Sequence, residues 1–198
     1  MYPALAVLQT MDIEKTNVLW IGSENSMEAK LLSAQDINFK SIPAAGLHGV
    51  GLTSLPGNLV KIFQGYLQSR KIIQDFQPDV VFYTGGFLSF PVSLAAGHIP
   101  SVVFIPDIEP GTALNHLIPR CNSIATTTDK TISFLPKNKP VEITGYPIRP
   151  SFKGWTKTKG KKELNLHAHK PVLLVFGGSK GSRSINRTLQ SILPDLLK

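Results

Sequence analysis

A single cysteine in 198 residues leaves Cys121 with nothing to pair with inside the chain, so neither an internal disulfide nor a thiolate metal cluster can form. A reducing cytosol is the expected compartment, and a small buried filler is the plain reading of Cys121. Also lacking is any run near the roughly 18 to 20 apolar residues that a bilayer-spanning helix needs. The first residues carry no basic region, apolar stretch and small-residue cleavage site, so neither membrane spanning nor secretion is expected. Acidic residues are the scarcer sign: 13 Asp and Glu stand against 21 Lys and Arg, for a formal net charge of +8 and a pI near 9.6. That balance favours anionic partners, whether nucleic acid, acidic lipid headgroups or phosphorylated substrates, and composition does not choose among them. His48, His98, His116, His167 and His169 show no metal-ligand spacing with acidic partners, so neither a metal nor a cofactor is expected.

What the chain does have is an alternation of short β-branched runs with longer amphipathic segments, the pattern of a parallel sheet covered by helices. An α/β fold follows. Strands are expected at 17–22, 37–42, 79–84, 101–105, 123–127, 141–144 and 171–176, and helices at 2–11, 26–35, 88–98, 111–119 and 182–198. The clearest helix is expected from Leu59 to Phe76, where Leu59, Ile62, Phe63, Tyr66, Ile73 and Phe76 recur at helical spacing. Asn58 is its candidate N-cap, and Gln77-Pro78 its stop. The stretch holding Lys153, Lys157, Lys159, Lys161 and Lys162, with Gly154 and Gly160, reads as a solvated linker. Three segments result: residues 1–150 as a Rossmann-like domain, 151–170 as the linker, and 171–198 as the opening strand, turn and helix of a second domain. A helix with no strand before it opens the chain, and one βα unit cannot bury both faces of its strand, so both ends read as cut.

Three glycine-bearing segments carry candidate chemistry. Gly177-Gly178-Ser179-Lys180-Gly181-Ser182 follows an apolar run and opens a helix, an arrangement in which backbone N–H groups can approach a phosphate. Its spacing is neither that of a Walker A loop nor the full dinucleotide fingerprint. Thr84-Gly85-Gly86-Phe87-Leu88-Ser89 closes an expected strand, at the carboxyl end where open α/β sheets bind ligands. Thr144-Gly145-Tyr146-Pro147-Ile148-Arg149 ends the last strand of the first domain, where an arginine can fork onto a phosphate or stack on a base. Each has a bland alternative: a ligand-free turn for the two glycine loops, a surface arginine for Arg149.

In order and spacing these segments resemble the MurG family, bacterial N-acetylglucosaminyltransferases that make lipid II. Tyr2-Pro3-Ala4-Leu5-Ala6-Val7 is similar to the family's first helix, and Val18-Leu19-Trp20-Ile21-Gly22-Ser23 with Met27-Glu28 to its second strand and helix start. Pro78-Asp79-Val80-Val81 with Gly85-Gly86 resembles its acceptor loop. Gly145, Pro147 and Arg149 match Gly-Asn-Pro-Val-Arg except at Tyr146, and Gly177 to Arg183 with Asn186 match the Gly-Gly-Ser-Gln-Gly-Ala-Arg loop and its following asparagine. The family's Gly-Gly-Thr-Gly-Gly-His loop, with a histidine proposed to act in catalysis, does not precede Tyr2. Its His-Glu-Gln-Asn segment is replaced by Ile105-Pro106-Asp107-Ile108, which leaves Asp107 and Glu109 as substitute base candidates; a turn-forming Asp and a helix-capping Glu are the alternatives.

The resemblance implies a GT-B architecture of two Rossmann-like domains. It implies inverting, metal-independent transfer of N-acetylglucosamine from UDP-N-acetylglucosamine to the lipid-linked muramyl peptide lipid I. It implies donor-nucleotide contacts at Arg149, Gly178, Ser179, Gly181 and Asn186, and acceptor-pyrophosphate contacts at Gly85, Gly86 and Ser89. Phe63 and Tyr66, with Lys61, Arg70 and Lys71 nearby, match the place of a membrane-contacting patch on the cytoplasmic face of an anionic membrane. Nucleic acid is not an implied partner, and the chain as given is not expected to turn over alone. Two alternatives stand beside this reading: a GT-B enzyme on another lipid or glycan acceptor, and a non-catalytic membrane-recruiting subunit of a split transferase.

Overall fold

The computed structural model describes residues 1–12, 14–23, 32, 37–46, 55–178 and 181–196, so the expected helix at 26–35 lies almost wholly outside the described residues. Two compact units divide the chain, Met1–Lys153 and Gly154–Lys198. The first runs α1 (Tyr2–Leu8), β1 (Leu19–Gly22), β2 (Asn38–Ser41), α2 (Leu55–Phe76), β3 (Val81–Tyr83), α3 (Ser89–Ala95), β4 (Ser101–Ile105), α4 (Thr112–Leu117), β5 (Ser123–Thr126) and β6 (Val141–Ile143). Short 3-10 segments occupy Ile118–Arg120, Asp129–Phe134 and Pro150–Phe152.

Every strand pairing is parallel. β1 pairs with β2, and β3, β4, β5 and β6 pair in that order as a second ladder. Pro100 and Pro106 bracket β4 and leave it a clean five-residue strand, because proline cannot extend a central ladder. Val103, Phe104 and Ile105 are fully buried, as expected for an apolar strand covered on both faces. Leu117 of α4 with Ile118 just after it, Val92 and Ala96 at α3, and Ile73 of α2 join Val103 and Ile105 in one core.

α2 differs from its expected bounds at its start. It begins at Leu55, so Asn58 lies inside it and does not cap it; the Asn58 amide instead donates to the Gly46 carbonyl at 2.8 Å. Its buried residues are Gly65, Ser69 and Ile73, a narrow stripe of mostly small side chains. A Cβ on Gly65 would stand 2.3 Å from the Pro43 carbonyl oxygen, so the glycine is what allows this close approach. Leu59 and Phe63, whose helical spacing fits a core face and a surface patch alike, are both exposed. The stop is as read: Gln77 takes φ 50 and its N–H closes on the Ile73 carbonyl at 2.8 Å, with Pro78 beyond.

In the second unit the lysine-rich stretch is not uniformly solvated linker. It forms α5 (Lys157–Glu163), where the Thr156 hydroxyl accepts from the Lys159 N–H. Lys161 is buried, with its ammonium donating to the Ala168 and Lys170 carbonyls at 2.8 and 2.6 Å. The expected strand at 171–176 is not formed: these residues have no ladder partner among the described residues, and Leu173, Leu174 and Phe176 lie exposed. A lone extended run has neither ladder bonds nor a covered face, so nothing holds it as a strand. α6 (Arg183–Leu196) follows, with Ile185, Ile192, Leu193 and Leu196 exposed.

Candidate functional site

Because β3 to β6 are all parallel, the segments that follow them emerge along one edge of the ladder. After β3, Gly85 and Gly86 both take φ +89, a region L side chains rarely enter. The Ser89 hydroxyl donates back to the Gly85 carbonyl at 2.7 Å, and the Ser89 N–H to the Gly86 carbonyl at 3.3 Å. Ser89 thus fastens the loop on itself. A Cβ on Gly85 would stand 3.2 Å from Leu114 Cδ2, so the loop lies against α4, while the same position on Gly86 faces open space.

After β4, Asp107 and Glu109 are exposed. Their backbone is held by three donors from elsewhere in the fold: Thr127 Oγ1 to the Pro106 carbonyl at 3.0 Å, Thr131 Oγ1 to Asp107 O at 3.3 Å, and Asn115 Nδ2 to Pro110 O at 3.0 Å. Glu109 does not cap α4; Gly111 stands at the N-cap, with no side-chain cap bond. The Gly85-Gly86 loop and the Asp107-Glu109 segment are tied to the same helix, the first through Leu114 and the second through Asn115.

After β6, Gly145 turns with φ +71, and the Tyr146 ring meets Phe104 edge-on with centroids 6.0 Å apart. The Arg149 guanidinium lies over two rings, its central carbon 5.1 Å from the Tyr2 centroid and 4.9 Å from that of Phe152. Each such contact is worth about 0.5–1 kcal/mol at an exposed position. The planar N–H fork of a guanidinium is the edge with which arginine grips carboxylate or phosphate.

Buried beneath this edge, Tyr83 has its hydroxyl pushed well above the ordinary range by desolvation, with a further rise from Cys121. Burial also pushes the Cys121 thiol up, against smaller opposing effects of Ser101 and Lys139. Both are held neutral. Lys139 donates its ammonium to the Cys121 carbonyl and so ties the chain before β6 to the chain before β5.

In the second unit Gly178 accepts from the Gly181 N–H at 2.7 Å, Gly181 takes φ +77, and the Asn186 N–H closes on the Ser182 carbonyl at 3.1 Å. A tight turn therefore enters α6, with Asn186 exposed in its first turns. Ser179 lies outside the described residues. On α2 of the first unit, Phe63 is exposed and Tyr66 half-buried. Leu59, Val60 and Leu67 are exposed beside Phe63, with Lys61, Arg70 and Lys71 also at the surface. No described helix is long and apolar enough to cross a membrane, and no cluster of described side chains has the makeup of a metal site.

Sequence reading found the two glycines and the arginine but not their supports. Thr127 carries a local signal, the Thr-Thr-Thr-Asp run that ends β5, since short hydroxyls at a strand end commonly bond neighbouring carbonyls. Tyr2 carries none, because its meeting with Arg149 is made by the fold, while Phe152 stands three residues from the arginine in sequence.

Residues 1–143 match the glycosyltransferase family 28 N-terminal domain. Over 198 residues the chain is 33% identical to the UDP-N-acetylglucosamine–N-acetylmuramyl-(pentapeptide) pyrophosphoryl-undecaprenol N-acetylglucosamine transferase of Lachnospira eligens, covering 99% of this chain and 56% of that protein. The protein of the same name from Halothermothrix orenii is 35% identical over 193 residues, covering 95% and 52%. This chain thus spans about half the length of the curated relatives it matches. Among solved structures, Acinetobacter baumannii MurG superposes with a TM-score of 0.59 at 23% identity, over 76% of this chain and 42% of that one, which shows the shared α/β fold of GT-B type.

Proposed function

The chain belongs to glycosyltransferase family 28, and from that premise we propose that it is the acceptor-binding part of an enzyme that moves N-acetylglucosamine from UDP-N-acetylglucosamine to lipid I, giving lipid II. The observation that carries this reading is the match to transferases of that name along 99% of the chain at 33% identity. The Gly85-Gly86 loop agrees with it in chemistry. A strand-end turn at φ +89, with open space over Gly86, is a surface on which backbone N–H groups can take a pyrophosphate. Gly178, Ser179, Gly181 and Asn186 are the donor-side counterparts in this proposal, with Arg149 offering its N–H fork to the donor diphosphate.

In the transfer, the acceptor C4 hydroxyl attacks the anomeric carbon in line. The new C–O bond forms as the bond to the UDP oxygen breaks, and the configuration inverts. The hydroxyl proton needs an acceptor, and Asp107 and Glu109 are the exposed carboxylates at the end of β4 that can take it. UDP leaves with its charge met by backbone N–H groups and arginine. The enzyme works from the cytoplasmic side as a peripheral protein. Leu59, Val60, Phe63 and Leu67 of α2 dip into the headgroup layer, and Lys61, Arg70 and Lys71 hold anionic lipid.

A second reading, transfer to another lipid or glycan acceptor, is favoured by the Ile105 to Glu109 departure from the family segment. Flotation with vesicles tests the acceptor assignment. The chain is expected to bind vesicles bearing an undecaprenyl pyrophosphoryl sugar more tightly than phosphatidylglycerol vesicles alone, and Gly86→Val is expected to erase the difference. Equal binding to both removes the pyrophosphate site from Gly85-Gly86.

A further inference from the structure

β3 and β4 are neighbours in the ladder, so the chain that leaves β4 emerges beside the Gly85-Gly86 loop that leaves β3, with about 4.8 Å between the strands. β4 ends at Ile105, which is fully buried and lies in register with Thr126 of β5. Pro106 follows, its φ fixed by the ring, and Asp107 after it stands exposed. Among the described residues the Asp107 carboxylate has no hydrogen-bond or ion-pair partner.

Its backbone, by contrast, is held on both sides. A peptide unit is planar, so the direction in which a side chain leaves its Cα is set by the two units that flank it, through φ and ψ. The unit before Asp107 carries the Pro106 carbonyl, which accepts from Thr127 Oγ1 at 3.0 Å. The unit after it carries the Asp107 carbonyl, which accepts from Thr131 Oγ1 at 3.3 Å. Both donors come from the chain that follows β5, and both are themselves fixed. Thr127 directly follows β5, a strand paired on both sides. Thr131 is fully buried, with its N–H on the Thr128 carbonyl at 3.3 Å. Near Glu109 the held carbonyl is that of Pro110, which belongs to neither unit flanking Glu109. Buried hydroxyls need an acceptor, but nothing in folding requires two of them to flank the same exposed carboxylate.

We propose that Thr127 and Thr131 are positioning residues for Asp107: they aim its carboxylate to accept a hydrogen bond from the C4 hydroxyl of the acceptor sugar, while the neighbouring Gly85-Gly86 loop takes the pyrophosphate. This role rests on the acceptor reading of the Gly85-Gly86 loop, and it selects Asp107 over Glu109 as the group that meets the hydroxyl. A carboxylate that is exposed, unpartnered among the described residues and fixed in direction loses little freedom when the hydroxyl arrives, so its hydrogen bond is kept in full.

Flotation of the full chain with phosphatidylglycerol vesicles tests it, using vesicles that bear lipid I, vesicles that bear its 4-deoxy analogue, and plain ones. The two lipids share pyrophosphate and peptide, so the difference between them reads the C4 hydroxyl alone. Lipid I is expected to bind about tenfold tighter than the analogue, the order of a hydrogen bond to a charged group. Asp107→Ala should remove that preference. Thr131→Val and Thr127→Val should each cut it to about threefold or less, whereas Thr131→Ser, which keeps the hydroxyl, should restore it. With Asp107→Ala already in place, Thr131→Val should change nothing further, because a residue that acts through another has no effect once the other is gone. If Thr131→Val weakens both lipids alike and leaves the preference intact, its role is structural and the proposal is overturned. Equal binding of the two lipids, both above plain vesicles, overturns it while leaving the pyrophosphate site standing. Binding no better than to plain vesicles removes the acceptor reading and this role together.

Discussion

Gly65 and Gly85 both exclude a side chain, but for different reasons. At Gly65 the constraint is space: a methyl group would meet the Pro43 carbonyl oxygen at 2.3 Å, and backbone must move to admit it. Gly65→Ala is expected to cost about 1–3 kcal/mol, as overpacking does, read from the urea midpoint. At Gly85 the constraint is first conformational, with φ +89, and then steric, with Leu114 at 3.2 Å. Gly85→Ala should therefore destabilise more than Gly86→Ala, which shares the dihedral but meets nothing within 4 Å. Tyr83 and Cys121 give the molecule an alkaline limit. Both groups are raised in the folded state, so the stability they contribute is complete below the ordinary thiol and phenol values of 9.0 and 10.0. It is lost as pH climbs through the folded values. Thermal midpoints are expected to fall between pH 9 and 11, and Tyr83→Phe should flatten the fall relative to the parent; an unchanged slope would separate Tyr83 from it.

At the scale of elements, α2 shows what a sequence pattern can and cannot say. Its end was legible, because Gln77-Pro78 stops a helix by local chemistry alone. Its facing was not. Hydrophobic spacing marks a face that avoids water, and a buried core and an apolar surface patch produce the same spacing. Only the close approach at Gly65 and Ser69 decides between them, and that needs the neighbouring Pro43 and Pro91. The outcome makes a prediction: Phe63→Ser with Leu67→Ser should lower partitioning onto anionic vesicles severalfold while leaving the thermal midpoint nearly unchanged, since both side chains are exposed. A collapse in stability would make them structural. β4 was legible to the residue because prolines flank it, whereas the 171–176 run has strand composition and no partner among the described residues, and pairing is a property of two segments. Lysine content likewise hid Lys161, whose ammonium serves two carbonyls in place of solvent.

For the whole molecule, the parallel α/β class could be read from alternation alone, because strands covered on both faces are apolar throughout. Division of the strands into two ladders could not, since it depends on which edges find partners. The candidate site was half legible. Glycines that must adopt positive φ announce themselves in sequence, while Thr127, Thr131 and Tyr2 reach the Pro106-Asp107 backbone and Arg149 from distant parts of the chain only when it folds. The role proposed for this chain is to present a pyrophosphate-linked acceptor to a sugar nucleotide. Its most direct test is turnover by this chain carried in a polypeptide of its relatives' full length, given labelled UDP-N-acetylglucosamine and lipid I in anionic vesicles. Labelled lipid II is expected, with the rate cut at least tenfold by Gly86→Val. No transfer to lipid I, alongside transfer to a different acceptor, would contradict it.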